Sequence, residues 1–315
     1  MSEICVSIFM LTYNQENFIA QAIEGVLIQE TNFSYQLVIG DDCSTDKTME
    51  ICSNYASKHP KKIKLLLNEK NIGIGANYVK TYAECDGKYV AICDGDDYWI
   101  DPNKLQKQVD FLEENPDYKI IYTNNYSLFP SGKKTGPKKD DRPLTTDFQD
   151  LVLGNYMASV TVLFKNTPLT YKMKKWIPTS AYGDWPTYLL VLNRGGKIFF
   201  MNEPTAVYRK DFGTSTELRK TKSKMGKINL SILEMLLDDE TFKKRKEILK
   251  AAIYRLKLGL IGSLNKEHNF YDSFLLLIRL SLEKGDWVIL RRYISSLKRT
   301  LVLLSRLDKY SLNSK

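Results

Sequence analysis

Three carboxylates fall within four positions in the stretch Cys93-Asp94-Gly95-Asp96-Asp97-Tyr98-Trp99. Ionised side chains that close repel one another, and a divalent cation is a direct way to hold them together. The residues just before them, Lys88-Tyr89-Val90-Ala91-Ile92, are apolar, β-branched or aromatic in the main and predict a buried strand. The carboxylates therefore stand at the carboxyl end of a strand, the edge where open α/β sheets bind ligands. The pattern predicts an Asp-x-Asp metal site that carries a nucleotide diphosphate. A polar turn with helix caps is the simpler alternative.

Other polar clusters qualify as partners. Asp41-Asp42 could cap a helix, or one carboxylate could accept hydrogen bonds from a base or a ribose. In Asn71-x-Gly73-x-Gly75-x-Asn77 the glycines let backbone approach a flat ligand, with Asn71 and Asn77 as polar contacts. Asp184, between Gly183 and Trp185-Pro186, is either a helix N-cap or a general base aimed at an acceptor hydroxyl. No GxGxxG or GxxxxGK[ST] run is present, so neither a dinucleotide fingerprint nor a Walker loop is indicated. His59 and His268 lie in surface-like contexts, and no Ser/His/Asp or Cys/His set stands out.

The elements that must position these groups follow from periodicity. Residues 5–11, 35–40, 63–67 and 88–92 predict strands, and helical spacing recurs between them. A β-α-β-α-β-α-β order predicts a Rossmann-like, mostly parallel sheet flanked by helices. Right-handed crossovers bring the polar clusters at 12–16, 41–46, 71–77 and 94–97 to one crevice. Further strands are expected at 120–126, 159–164 and 197–201, with a long loop at 130–147 and a helix opening at Asp184.

From about Gly226 the pattern is wholly helical, which predicts a C-terminal α-helical region. Residues 218–315 carry 22 basic and 10 acidic side chains, a net of +12, whereas the whole chain carries +9. The tail alone is basic. It reads as the solvated face of a helical bundle, as a surface for anionic lipid, or as both. The expected division is 1–217 for an α/β unit and 218–315 for a basic tail that meets membrane or a partner. No run of eighteen apolar residues occurs, the start lacks the features of a signal peptide, and the five scattered cysteines suit a reducing compartment. These features point to a cytoplasmic chain that touches the inner membrane face peripherally.

Taken together, the motifs resemble family 2 glycosyltransferases with the GT-A fold, including capsule and O-antigen sugar transferases. The resemblance rests on Val6-Ser7-Ile8 through Thr12-Tyr13-Asn14-Gln15-Glu16, on Gly40-Asp41-Asp42-Cys43-Ser44-Thr45-Asp46-Lys47-Thr48, on Asn71-Ile72-Gly73 with Asn77, and on Gly87-Lys88-Tyr89 into Asp94-Gly95-Asp96-Asp97-Tyr98-Trp99. It spans about residues 4–215. It implies an inverting hexosyl- or hexosaminyltransferase, a nucleotide-sugar donor (most often a UDP-sugar), Mn²⁺ or Mg²⁺, and a saccharide or lipid-linked acceptor in cell-surface polysaccharide synthesis. Nucleic acid is not expected as a partner.

Under the resemblance, Thr12, Tyr13, Glu16, Asp42, Asn71, Gly73, Asn77 and Asp94 bind nucleotide, Asp96 and Asp94 hold metal, and Asp184 is the base. One departure stands out. The family often carries Tyr-Arg-x-His after its last core strand, and here Tyr208-Arg209-Lys210-Asp211 places Asp211 at the histidine position, as a candidate metal ligand. Alternatively, Arg209 and Lys210 hold the diphosphate. The competing readings are a nucleotidyltransferase and a non-catalytic binding module that uses the basic tail on membrane or nucleic acid.

Overall fold

The computed structural model describes residues 3–137, 139, 141–212, 221–284, 290, 291, 293–298 and 300. Two compact units result. One comprises Met1–Thr216 with Asp239–Lys244, and the other Glu217–Asp238 with Arg245–Lys315. The short return segment belongs to the first unit because it is bonded there. Thr170 Oγ1 donates to Asp239 Oδ2 (2.5 Å), Asn193 Nδ2 donates to the Thr241 carbonyl (2.8 Å), and Phe242 is buried.

The strands of the first unit are β1 (Val6–Thr12), β2 (Tyr35–Asp41), β3 (Ile63–Leu67), β4 (Tyr89–Ile92), β5 (Tyr98–Trp99), β6 (Tyr118–Leu128), β7 (Lys134–Thr135), β8 (Thr145–Thr146), β9 (Val162–Lys165) and β10 (Lys197–Arg209). Its helices are α1 (Ile19–Leu27), α2 (Thr48–Lys58), α3 (Ile74–Tyr82), α4 (Lys104–Glu114), α5 (Phe148–Leu151), α6 (Tyr171–Trp176) and α7 (Asp184–Val191). One sheet runs β3-β2-β1-β4-β9-β6-β10-β5, with β7 beside β6 and β8 beside β10. Pairs β3–β2, β2–β1, β1–β4 and β6–β10 are parallel, while β9 runs antiparallel between β4 and β6. The α/β class and the mostly parallel sheet expected from periodicity are what forms.

Alternation along β1 sorts the core. Val6, Ile8 and Met10 pack under α1 and α4, against Ile19, Ile23, Val26, Leu105 and Val109. Phe9 points to the opposite face, where an aromatic row runs through Tyr78 (4.8 Å between centroids), Tyr82, Phe164 and Tyr188. Both faces are thus covered, as a parallel sheet requires.

Two local expectations give way, and one short strand is added. Ser159–Thr161 forms a 3-10 turn rather than a strand start, because the Thr161 hydroxyl and N–H both bond the Ala158 carbonyl. Tyr98–Trp99, to which the sequence pattern assigned no element, forms β5 against Ala206 and Val207. The expected loop at 130–147 contains β7 and β8, which pair with β6 and β10.

The second unit contains α8 (Lys222–Asp238), α9 (Lys246–Lys266) and α10 (Phe270–Lys284). Leu258 and Ile261 of α9 pack on Leu277 and Leu280 of α10. Among the described residues no helix is long and apolar enough to cross a membrane.

Candidate active site

The carboxylate loop continues to follow β1 after β4 ends. Cys93 N–H donates to the Phe9 carbonyl (3.0 Å), and Gly95 N–H donates to the Leu11 carbonyl (3.0 Å). The loop is thereby laid beside Thr12. Gly95 fits because it has no side chain; a Cβ there would run into Gln15 Oε1 and lie 3.0 Å from Thr12 Oγ1. Those two oxygens are buried and have no hydrogen-bond partner among the described residues. Unsatisfied buried oxygens beside a carboxylate loop suit a polar ligand or an ion with its waters.

The three carboxylates divide in role. Asp97 is buried, and its Oδ1 accepts the backbone N–H of Arg209 (2.7 Å), which ties the loop to the end of β10. The Arg209 guanidinium lies between the rings of Phe18 and Tyr98, 4.7 Å from each centroid. It donates to the Asp96 carbonyl (2.7 Å) and to Gln21 Oε1 (2.5 Å). Arg209 thus clamps the loop, where the sequence offered it as a diphosphate contact. Asp94 and Asp96 retain side chains for chemistry, and Asp94 Oδ2 accepts a long bond from Ser159 Oγ (3.4 Å).

Electrostatics agree with that division. Burial first, then the charges of Asp96 and Asp184, push the Asp94 carboxyl up to about 7. Burial also raises Asp96 and Asp97. Carboxyls raised by burial and one another are poised to take a hard cation, which would replace their protons. Among the described residues no three His, Cys, Asp or Glu side chains converge as a ready-made ion site. The set therefore fits a divalent ion held by Asp94 and Asp96 that draws its remaining oxygens from phosphate or water. Asp211 stands exposed beyond β10 with φ of 61°, and it makes no such cluster with them.

The loops after β1 and β2 are laced together. Asn14 Oδ1 accepts Thr45 N–H (2.8 Å), Glu16 Oε2 accepts Lys47 N–H (3.0 Å), and Asp46 Oδ2 accepts Glu16 N–H (3.1 Å). Glu16 is in this lattice, and Tyr13 is 41% exposed beside it. Asp42 is buried and accepts from Asn68 Nδ2 (3.0 Å), Ile72 N–H (2.9 Å) and Gly73 N–H (2.9 Å). It thereby fixes the 71–73 turn, in which Gly73 takes φ of 86° and Asn71 Oδ1 also accepts Gly73 N–H (3.1 Å). Asn77 points inward: its Nδ2 donates to the Gly40 carbonyl (2.8 Å) and its Oδ1 accepts from Asn68 (3.1 Å). It braces the pocket from behind rather than lining it.

Asp184 is the first residue of α7, and Gly183 occupies the N-cap position that the sequence offered to Asp184. A carboxylate there is favoured by the helix dipole. Trp185 anchors the turn, fully buried, with Nε1 donating to the Leu151 carbonyl (2.9 Å). Asn155 Nδ2 donates to Asp184 Oδ2 (3.0 Å). The segment from Asn155 to Ser159 bonds both groups, Asn155 to Asp184 and Ser159 to Asp94, which sets the base candidate beside the carboxylate loop. Sequence reasoning missed Asn155, Ser159 and Gln21. Their only signal was polarity beside apolar runs, and their partners lie far off in the chain.

The pattern of the family model described as "Glycosyl transferase family 2" matches residues 7–211. The chain belongs to glycosyl transferase family 2. The nucleotidyltransferase reading is thereby set aside. A relative in Bacillus subtilis, named as a putative teichuronic acid biosynthesis glycosyltransferase, is 29% identical over 204 residues, covering 65% of this chain and 78% of the relative. A dTDP-rhamnosyl transferase of Shigella flexneri is 24% identical, covering 64% and 71%. Among solved structures, S. aureus TarS 1-349 in complex with UDP aligns with TM-score 0.59 at 15% identity, covering 90% of this chain and 93% of that one. A mannosyltransferase from Pyrobaculum calidifontis in complex with GDP-Man and Mn²⁺ aligns with TM-score 0.56 at 14% identity, covering 95% and 81%. The family 2 chain thus has the GT-A fold, and it is a glycosyltransferase.

Proposed function

We propose that this glycosyltransferase is inverting and metal-dependent, and that it moves a hexosyl or hexosaminyl group from a UDP-sugar to a saccharide or lipid-linked acceptor. Cell-surface polysaccharide synthesis is the setting, by analogy with the teichuronic acid and rhamnosyl relatives. One observation supports the reading: the 155–159 segment bonds Asp184 through Asn155 and Asp94 through Ser159, beside the carboxyl edge of β1 and β4.

In this reading the nucleoside lies over the β1 and β2 loops, against Thr12, Tyr13, Asp42 and the 71–73 turn. Asp94 lies near the ribose. Asp94 and Asp96 hold Mn²⁺ or Mg²⁺, which would neutralise charge growing on the leaving diphosphate. Asp184 accepts the proton of the acceptor hydroxyl while that oxygen bonds the anomeric carbon. The bond from that carbon to the diphosphate oxygen breaks on the opposite face, and the configuration inverts. Asp97 and Arg209 hold the loop still. Glu16 and Asn77 keep the pocket's shape, and Asp211 serves as an outer contact for the diphosphate or its ion.

The test is transfer from a panel of UDP-sugars with Mn²⁺, with and without added acceptor glycans. Asp96→Ala should lose nucleotide binding. Asp184→Asn should bind UDP as the parent does and transfer nothing. Normal transfer by Asp184→Asn would remove the base assignment.

A further inference from the structure

Helix α10 presents two apolar faces. Ser273, Leu277 and Leu280 are buried, with Leu276 packed against the same cluster and Ser273 Oγ donating to the Ile261 carbonyl (3.3 Å). On the opposite side Tyr271, Phe274, Ile278 and Leu282 are 73%, 49%, 40% and 83% exposed. Their spacing of three, four and four residues sets them in line along one face. Tyr293 meets Phe274 at 6.3 Å, and Leu290 and Ile294 near it in sequence are 37% and 42% exposed. An aligned aromatic and aliphatic row in water is costly unless something covers it.

The charges around the row select what covers it. Arg279, Arg291 and Lys298 are exposed in the same segments, and Lys266 is exposed at the end of α9. Two neighbouring acids are already engaged: Asp272 pairs with Lys227 (3.2 Å) and accepts from Asn269 (3.0 Å), and Glu267 accepts from the N–H and hydroxyl of Ser223. An apolar row edged by cations, in a tail of net charge +12, fits the boundary of an anionic bilayer. A second copy of this face would set like charges against each other. Nucleic acid would use the cations but leave Ile278 and Leu282 without a partner.

We propose that the outward face of α10 and the adjoining 290–298 segment rest on anionic lipid. Phe274, Ile278 and Leu282 enter the acyl boundary, and Arg279, Arg291 and Lys298 meet headgroup phosphates. The contact lies along the surface and does not span. It goes beyond the donor-site reading and stands without it.

The experiment is flotation of the full chain with phosphatidylglycerol-containing and pure phosphatidylcholine vesicles, at low and high salt. The parent should float only with the anionic vesicles and lose most of that binding at high salt. Phe274→Ser with Ile278→Ser should lower partition by roughly tenfold or more, with the circular dichroism spectrum and thermal midpoint unchanged. Arg279→Glu with Lys298→Glu should do the same. As a second measurement, Phe274→Trp should shift its emission to the blue on anionic vesicles. Equal flotation of parent and variants overturns the proposal. So does a parent dimer that Ile278→Ser dissociates, or salt-sensitive RNA binding without vesicle binding. Donor turnover in detergent-free buffer reports separately on the carboxylate site.

Discussion

Asn155 and Asp184 are joined by a hydrogen bond whose direction is fixed. Asn155 Oδ1 accepts Met157 N–H (3.1 Å), so its Nδ2 must be the atom that faces Asp184 Oδ2 at 3.0 Å. An amide held in this way sets the rotamer of the carboxylate before any acceptor arrives. Asn155→Ala should therefore lower kcat by roughly tenfold to a hundredfold and leave the donor KM close to the parent value. Steady-state transfer kinetics with saturating Mn²⁺ check this, and an increase confined to donor KM would contradict it.

Arg209 makes the opposite prediction, for binding rather than turnover. Its guanidinium joins Asp96, Gln21, Phe18 and Tyr98. Arg209→Met should cost about 1–3 kcal/mol of stability and weaken Mn²⁺ activation. Arg209→Lys should rescue it only in part, because an ammonium cannot bond both partners and lie flat between two rings. Thermal melts and a Mn²⁺ titration of the rate separate the two effects.

Asp94 links function to pH-dependent stability. Its folded pKa of about 7 lies above the ordinary 3.8. The metal-free folded state therefore binds more protons than the unfolded state between those values, and stability falls as pH rises through that window. The full cost is present above about pH 7. Asp94→Asn should raise the thermal midpoint in EDTA at pH 8, leave it little changed near pH 4, and abolish the midpoint shift that Mn²⁺ with UDP gives the parent. Thermal shift at the two pH values, with and without metal and nucleotide, checks it.

Lys104 acts in the other direction. It is fully buried under Trp99, with Nζ 4.3 Å from the ring centroid and 2.7 Å from Gln108 Oε1. Burial holds its pKa down at about 7 against an ordinary 10.5. The unfolded state binds the extra proton between those values, so stability is lost as pH falls from 10.5 towards 7 and is lowest below that. Lys104→Met should stabilise the protein near pH 6 by about 1–3 kcal/mol, less the unpaired Gln108 oxygen. The gain should disappear near pH 10. Urea melts at the two pH values check it.

Much of the fold was written in local pattern. Alternation in Val6–Thr12 and Tyr35–Asp41, helical spacing between them, and the polar residues at each strand end put Thr12, Asp42 and Asp94 on one edge before any coordinates. Periodicity carries that information because burial repeats every two or 3.6 residues. What it cannot carry is contact between distant segments. Asp97 meets Arg209 across 112 positions, and Asn155 meets Asp184 across 29. Neither pair has a spacing to read.

Periodicity also assigns a residue to a face without saying what covers that face. Phe274, Leu277 and Ile278 form one apolar run in sequence, yet only the packing of α9 on α10 decides that Leu277 is core and the other two are surface. The sequence by itself determined the α/β sheet, the carboxylate loop at its edge and the basic helical tail, because each depends on short-range pattern. The tertiary structure alone decided which carboxylate ties the loop, which amide orients Asp184, and which apolar side chains remain in water, because each depends on a neighbour that the chain supplies from elsewhere.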